Sequence, residues 1–306
     1  TEPEGTYRAA SRKKRRISRG TFALQGHDPG SKAAFRNIAV MLLPDDLSEP
    51  NANAPSVEYT TRLDKLAAQY IPLIDYHVHL RDGMTAEEAL KMQLGTGICR
   101  GVLRNIGRDW PVKTNEEFKE FLDSPRGLPM FVGVQVNDRD WMDQFDPELF
   151  KQVDYILGDT MIMTAEDGSE IRLWIDEQVN IEDPEKWMDE YVAHNLKVLS
   201  EPITILANPT YLPNALKDQY DKLWTDQRMQ TVIDAAVKNN VALEINAQSG
   251  FPNDRFIKLA KKAGAKFTLG SNNKGSADWI DMSRCIEAVE KNGLKKEHMY
   301  VPGKQD

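Results

Sequence analysis

Short apolar stretches alternate with amphipathic stretches along most of this chain, and that alternation limits the folds open to it. The stretch "IPLIDYHVH" has the pattern of a buried strand. The next, "TAEEALKMQLGTG", has that of a helix, with Thr85 and Glu88 as a capping box and Gly95 or Gly97 as its stop. Seven strand-like stretches occur in all, mostly separated by helical ones. Repeated strand–helix units of this number predict a parallel sheet closed into a TIM-like β/α barrel.

The first part of the chain differs in character from the rest. Residues 1–35 are rich in Arg, Lys, Gly and Ser, and five consecutive basic residues, "RKKRR", occupy positions 12–16. We therefore predict an N-terminal extension over residues 1–70, partly irregular, followed by the barrel over residues 71–306. The stretch "RRISRGTF" resembles a twin-arginine export signal, but the apolar segment that should follow is too short and too polar, which favours a solvated basic tail.

Composition narrows the function classes. The net charge of −8 argues against a general nucleic-acid binder, because contacts to phosphates need a cationic face. No apolar run approaches the roughly 20 residues of a membrane span. Cys99 and Cys285 lie in strand-like and helical stretches and are predicted to be free thiols. The compartment stays unknown: loss of a signal peptide would explain a chain that begins at Thr1, and places a secreted or periplasmic location ahead of a cytoplasmic one.

Two of the five histidines, His77 and His79, lie at the end of the first predicted strand. Residues i and i+2 of a strand face the same side, so the two side chains can share one ion or one substrate. In a β/α barrel, the carboxyl ends of the strands carry the chemistry. The other strand ends carry mostly amides: Asn105, Gln135, Asn137, Asn208, Asn246, Asn272 and Asn273, together with Arg104, Asp159, Glu244 and Lys274.

Four of these stretches together resemble the polymerase-and-histidinol-phosphatase (PHP) family: "DYHVHLRDG", "ANPTYLP", "VALEINAQSGFP" and "KFTLGSNNKGSADW". The resemblance spans about Pro72 to Pro302. It implies a distorted seven-stranded β/α barrel and a metal-dependent phosphoesterase or nuclease that usually holds three divalent ions. An amidohydrolase-type barrel is a second resemblance, since "IDYHVHLRDG" would suit it equally well.

Carried over residue by residue, the PHP pattern is only partly kept. The opening His-x-His is intact as His77 and His79. Most of the other ligand positions hold amides or apolar residues: Arg104-Asn105-Ile106, Gln135, Met161, Asn208 and Ser271-Asn272-Asn273-Lys274. The resemblance therefore implies at most one ion (Zn, Mn or Fe), on His77 and His79 with Asp82 or Asp159. A protein without any cofactor is an equal alternative.

We call the end of the barrel where the carboxyl ends of the strands meet its mouth. Amide side chains both donate and accept hydrogen bonds, so a mouth lined by them suits a small polyhydroxylated ligand such as a sugar or sugar acid. We assign substrate binding to Asn105, Gln135, Asn208, Glu244, Asn246, Asn272 and Asn273. Arg81, Arg104 and Lys274 are candidates for holding a carboxylate or phosphate, and Trp110 and Trp141 for stacking on a sugar ring.

Three functions follow, and an enzyme is favoured. The first is a PHP-type hydrolase of a phosphoester or sugar-derived substrate, with a reduced metal site. The second is a metal-free lyase or isomerase that acts on a sugar acid. The third is a non-catalytic, sugar-binding pseudoenzyme. The predicted catalytic residues are His77, His79, Arg104 and Lys274. The sequence gives no prediction of the oligomeric state.

Overall fold

The computed structural model describes residues 56–165, 168–273, 275 and 281–303. All of these belong to one compact unit, residues 45–306. The predicted basic tail, a short apolar run within residues 35–46 and Lys274 lie outside the described residues. The boundary between extension and barrel at residue 70 stays a prediction. Helix α1, Val57–Ala68, begins at the N-cap Ser56, and its Arg62 forms an ion pair with Glu290.

Seven parallel strands form a closed barrel, which confirms the predicted fold. At least one helix lies between each barrel strand and the next along the chain. In their order around the barrel, the strands are β1 Ile74–His79, β2 Cys99–Ile106, β3 Phe131–Val136, β4 Tyr155–Asp159, β7 Ile205–Ala207, β8 Ala242–Asn246 and β9 Phe267–Gly270. The helices after α1 are α2 Ala86–Thr96, α3 Asn115–Asp123, α4 Trp141–Gln144, α5 Pro147–Phe150, α6 Pro184–Leu199, α7 Tyr220–Leu223, α8 Asp226–Lys238, α9 Asp254–Lys262 and α10 Ser283–Lys291.

Local signals in the sequence set the ends of the helix after β1. The Thr85 hydroxyl accepts a hydrogen bond from the backbone N–H of Glu88, as the cap prediction requires. The Glu88 carboxylate, however, pairs with Lys91. Gly97 ends the helix in the left-handed region, at φ 73°, which glycine adopts without a steric penalty.

The sequence did not lead us to expect the antiparallel hairpin between β4 and α6. Strand β5, Ile162–Thr164, pairs with β6, Glu170–Arg172, outside the barrel. The Asp-Gly pair at positions 167–168 is a hairpin signal in the sequence. Strands of three residues are too short for an alternation of apolar and polar residues to stand out.

A β-bulge in β1 directs its side chains. The pairing with β2 passes from Asp75 opposite Arg100 to Val78 opposite Val102, so β1 holds one extra residue there. Because of this bulge, Tyr76 packs inside the barrel and His77 also points inward. Asp75 and Val78 face the surrounding helices.

Two hydrophobic clusters stabilise the fold. The larger lies between the strands and the helices around them. The smaller fills the barrel where the strands begin, and centres on Tyr76 and Tyr155, whose rings meet edge to face at 5.3 Å. Gly133 leaves the space for Tyr155, because a Cβ there would overlap the tyrosine ring.

Cys99 and Cys285 are free thiols, as predicted. Within the part of the chain that the structure describes, no helix is both long enough and apolar enough to cross a bilayer.

Candidate functional site

A buried histidine–carboxylate pair lies where the barrel strands end. The His77 Nδ1 atom is 2.5 Å from the Glu244 Oε1 atom, and both side chains are almost fully buried. The two residues come from β1 and β8, with β9 between them. Gly270 of β9 makes the approach possible, because a Cβ there would overlap Glu244 Oε1 and lie 2.9 Å from the His77 Cβ.

Neighbouring groups hold both members of this pair in place. The second oxygen of Glu244 accepts hydrogen bonds from the backbone N–H of Asn208, at 2.9 Å, and from the Asn246 amide, at 3.0 Å. The Asp75 carboxylate accepts from the backbone N–H of His77 and pairs with the buried Arg100 guanidinium at 2.9 Å. The imidazole of His77 therefore has a fixed position, with its Nδ1 proton directed at Glu244.

The pKa values of the pair move in opposite directions. Burial alone would lower the pKa of His77, but the charge and hydrogen bond of Glu244 raise it above its usual value. Burial alone would raise the pKa of Glu244, but the charge and hydrogen bonds of His77 and its other partners hold it below its usual value. These opposite shifts favour the charged form of the pair, imidazolium against carboxylate.

His79 lies beside His77, with 5.0 Å between the ring centroids, but in the opposite electrostatic setting. Asn272 and Asn105 hydrogen-bond its side chain. The Asn273 amide holds its backbone, accepting from the N–H at 2.6 Å and donating to the C=O at 3.2 Å. Burial, together with the positive charge of His77, holds the pKa of His79 well below its usual value, so this ring is neutral.

Asp159 is the centre of a second group of polar side chains in the same mouth. Its Oδ2 atom accepts from the amide nitrogens of Gln135, at 2.9 Å, and Asn208, at 3.4 Å. Its Oδ1 atom accepts from the backbone N–H of Met161 at 2.8 Å. Burial raises its pKa to about 6, against the opposing effect of the Met161 hydrogen bond and of the His77 charge. Asn208 links the two groups, since its backbone donates to Glu244 and its side chain to Asp159.

Several buried polar atoms in this mouth have no hydrogen-bond partner among the residues described. Buried polar atoms in folded proteins are nearly always satisfied, so such a group indicates a place for bound polar molecules. They are His77 Nε2, Gln135 Oε1, Asn137 Nδ2 and Asn208 Oδ1.

Most of the predicted site residues converge on this mouth, but some do not. Arg104 is exposed and lies on the same face of β2 as Val102 and Ile106, which face the helices, so it does not point into the barrel interior. Asp82 turns its side chain into solvent, 74% exposed. Trp141 is buried in the outer core, which corrects the expectation that it stacks on a ligand. Arg81 donates to the backbone C=O of Asn273.

Of the four predicted metal ligands, His77, His79 and Asp159 lie in the mouth, whereas Asp82 does not. Among the described residues, no group of three or more His, Cys, Asp or Glu side chains has the geometry to hold a metal ion. The Asp159 carboxylate accepts hydrogen bonds from the side-chain amides of Gln135 and Asn208, and the His79 ring is hydrogen-bonded to two asparagines. These residues do not fit the three-ion centre that is usual in the PHP family; the prediction of at most one ion stays a prediction.

Sequence reasoning missed two features near the mouth. Asp75 fixes the backbone of His77; its position two residues before the first histidine, inside an apolar run, was a signal for it. The second is a cluster on the rim. Asp138 accepts from the Trp110 indole at 3.0 Å, Arg172 of the hairpin lies over that indole, and the Glu170 side chain hydrogen-bonds Asp138. No local pattern predicts this cluster, because the hairpin brings its parts together.

Comparisons with known proteins give no family. No family model matches the sequence, and no curated protein is similar enough to match. A beta-mannanase from Streptomyces thermolilacinus is 17% identical over 73% of this chain and 78% of its own, with a TM-score of 0.40. An archaeal ribonuclease P structure with mature tRNA contains a chain that is 12% identical over 76% of this chain and 99% of its own, at 0.37. A putative deoxyribose-phosphate aldolase from Coccidioides immitis is 10% identical over 83% and 77%, at 0.27. TM-scores this low carry no argument about function.

Proposed function

We propose that this chain is an acid/base enzyme, a lyase or isomerase acting on a small polyhydroxylated acid in the barrel mouth. The observation that carries the proposal is the 2.5 Å contact between His77 Nδ1 and Glu244 Oε1, which leaves the buried Nε2 atom of His77 unpartnered among the described residues. A carboxylate that orients an imidazole in this way leaves its other nitrogen to exchange a proton with a substrate.

The two histidines supply opposite halves of a proton transfer. Glu244 stabilises the protonated form of His77, so His77 serves as the general acid. The neutral imidazole of His79 serves as the general base once the substrate displaces one of its two asparagine partners, Asn272 or Asn105, from the ring. His79 takes a proton from the carbon next to the substrate carbonyl or carboxylate. His77 gives a proton to the departing hydroxyl or to the carbonyl oxygen. The amides around them bind the hydroxyl groups.

Substitution of the histidines tests the proposal directly. Turnover of a panel of sugar acids by the wild-type chain should fall about 10²- to 10⁴-fold in His77→Ala and in His79→Ala, the range that a positioned acid or base contributes. His298→Ala is the matched control, because His298 lies beside the start of β9, at the other end of the barrel. If turnover survived both mouth substitutions, the acid/base proposal would be wrong.

The pH dependence gives a second test. On the acid side, activity should fall only at a pH well below 6.5, where His79 gains a proton, and it should fall again as the pH rises through the elevated pKa of His77. Glu244→Gln removes the charge that raises the His77 pKa, so the fall on the alkaline side should move to lower pH. An unchanged alkaline side in this variant would contradict the assignment of His77 as the acid.

A metal-dependent hydrolase of PHP type is the second candidate. It is favoured by one feature: ligating histidines commonly pair their other nitrogen with a carboxylate, as His77 does with Glu244. Metal analysis of protein purified after supplementation with Zn, Mn and Fe tests it; protein without a bound ion would exclude this candidate.

A pseudoenzyme that binds a sugar without turnover would show ligand binding unaffected by His79→Ala and no product with any substrate. The predictions that the chain avoids nucleic acid and takes a sugar-like ligand stay predictions.

A further inference from the structure

The Asp159 carboxylate sets the orientation of the side-chain amides of Gln135 and Asn208. An ionised carboxylate only accepts hydrogen bonds, so an amide that contacts it must do so through its NH₂ group. Two amides contact the same Asp159 oxygen in this way, Gln135 through Nε2 and Asn208 through Nδ2. The orientation of both amides is therefore set by Asp159. A flip of either would place a carbonyl oxygen against the carboxylate.

Because both amide nitrogens bind Asp159, both amide oxygens are left to accept hydrogen bonds from a ligand. Gln135 Oε1 and Asn208 Oδ1 are buried and have no partner among the residues described, and the two side chains are 5% and 0% exposed as residues. The backbone N–H of Asn208 also donates to Glu244, which prevents that amide from moving away. Because the two amide nitrogens converge on one atom, the two acceptors belong to neighbouring groups in the mouth.

Two unpartnered donors lie in the same mouth. Asn137 Nδ2 is buried, within hydrogen-bonding reach of Gln135 through its other amide atom, at 3.5 Å. His77 Nε2 is the second, since Glu244 favours the protonated imidazole. The mouth thus combines two acceptors with two donors. A cation could use the acceptors alone, whereas a hydroxy acid uses both sets.

We propose that Asp159 is a positioning residue that sets the specificity of the mouth for two adjacent hydroxyl groups next to a carboxylate or carbonyl. The hydroxyls donate to Gln135 Oε1 and Asn208 Oδ1, and the ligand oxygens accept from Asn137 and His77. This inference deepens the proposed function, since it concerns the ligand of the same site. It does not depend on turnover.

Calorimetric titration with a matched set of three-carbon probes tests it. The probes are D-glycerate, which has two adjacent hydroxyls and a carboxylate; D-lactate, with one hydroxyl; propionate, with none; 1,2-propanediol, without the carboxylate; and n-propylammonium, a cation. D-Gluconate serves as a larger hydroxy acid. The wild-type chain should bind glycerate more tightly than lactate and lactate more tightly than propionate, by up to about tenfold for each hydroxyl lost.

The variants Asp159→Asn and Gln135→Met should both reduce this preference for hydroxyls. In Asp159→Asn the ionised acceptor is gone and the two amides are no longer fixed, and in Gln135→Met the side chain keeps its length but loses its amide. Asp143→Asn is the control, because Asp143 is exposed on α4. Circular dichroism and Tm confirm that each variant is folded. Gln135→Met keeps the test decisive if Asp159→Asn does not fold.

Three results would overturn the inference: a hydroxyl preference unchanged in Gln135→Met, tighter binding of n-propylammonium than of glycerate, or no binding of glycerate and gluconate at tens of millimolar. The proposed function fails separately. If hydroxy acids bind as expected but no substrate is turned over, the specificity stands and the acid/base proposal fails. If His77→Ala abolishes turnover but the hydroxyl preference is unchanged in Asp159→Asn and Gln135→Met, the acid/base proposal stands and the specificity inference fails.

Discussion

The two ends of the barrel interior are filled by different kinds of side chain. Where the strands begin, Tyr76 packs on Tyr155 and Tyr300, with ring centroids 5.3 and 5.9 Å apart. Where the strands end, His77, Glu244 and Asp159 lie among amides, and several polar atoms have no partner among the described residues. The same strands supply both layers. The difference shows which end stabilises the barrel and which end is built to bind a ligand.

The largest effect is expected from emptying the aromatic layer. Tyr155→Ala removes a fully buried ring and leaves a cavity, which should lower the free energy of unfolding by about 3 to 5 kcal/mol. Chemical denaturation measures this. The folded variant should keep the ligand preference of the wild type. A change in that preference with little loss of stability would contradict the division between the two layers.

The polar layer should instead destabilise the fold in one range of pH. The folded pKa of Asp159 is about 6, raised above its ordinary value of 3.8. Between these values the unfolded carboxyl has lost its proton while the folded one keeps it, so stability falls as the pH rises through this window. The loss contributed by Asp159 should reach about 3 kcal/mol above pH 6 and stay constant beyond it. Denaturation of wild type and Asp159→Asn from pH 4 to 8 measures it: the difference in stability between the two should change with this sign.

A substitution that crowds the histidine–carboxylate pair should lower the free energy of unfolding less than the loss of the Tyr155 ring does, but it should lower activity more. Gly270→Ala places a Cβ against Glu244 and His77, and overpacking of this kind costs about 1 to 3 kcal/mol. Turnover should fall with it because the imidazole moves. Gly95→Ala is the matched control: a Cβ there meets no atom within 4 Å, and alanine favours the helix. Equal effects of the two substitutions would argue against a tightly fixed pair.

A change outside both layers should have the smallest effect. Arg62→Ala breaks the partly exposed ion pair between α1 and Glu290 of α10, and such pairs contribute about 0.2 to 1 kcal/mol. Ligand preference and the pH profile should not move. A loss of several kcal/mol would show that α1 belongs to the barrel more closely than the predicted boundary at residue 70 implies.

Much of the fold followed from local patterns. The seven strands, the free cysteines and a helix stop at Gly95 or Gly97 were predicted because periodicity, composition and glycine act over a few residues. The hairpin β5–β6 was not, because each strand is only three residues long. Arg104 was expected at the mouth because it ends a strand, but the alternation within β2 turns it outward.

The sequence by itself determined that a β/α barrel forms and that His77 and His79 lie at the end of its first strand, since strand–helix alternation and the spacing of two residues act locally. Only the tertiary structure decided what the histidines do. It paired His77 with Glu244 across a glycine, left His79 neutral among asparagines, and turned two amides towards Asp159. Those contacts join residues far apart in the chain, and the register of the strands and one β-bulge fix them.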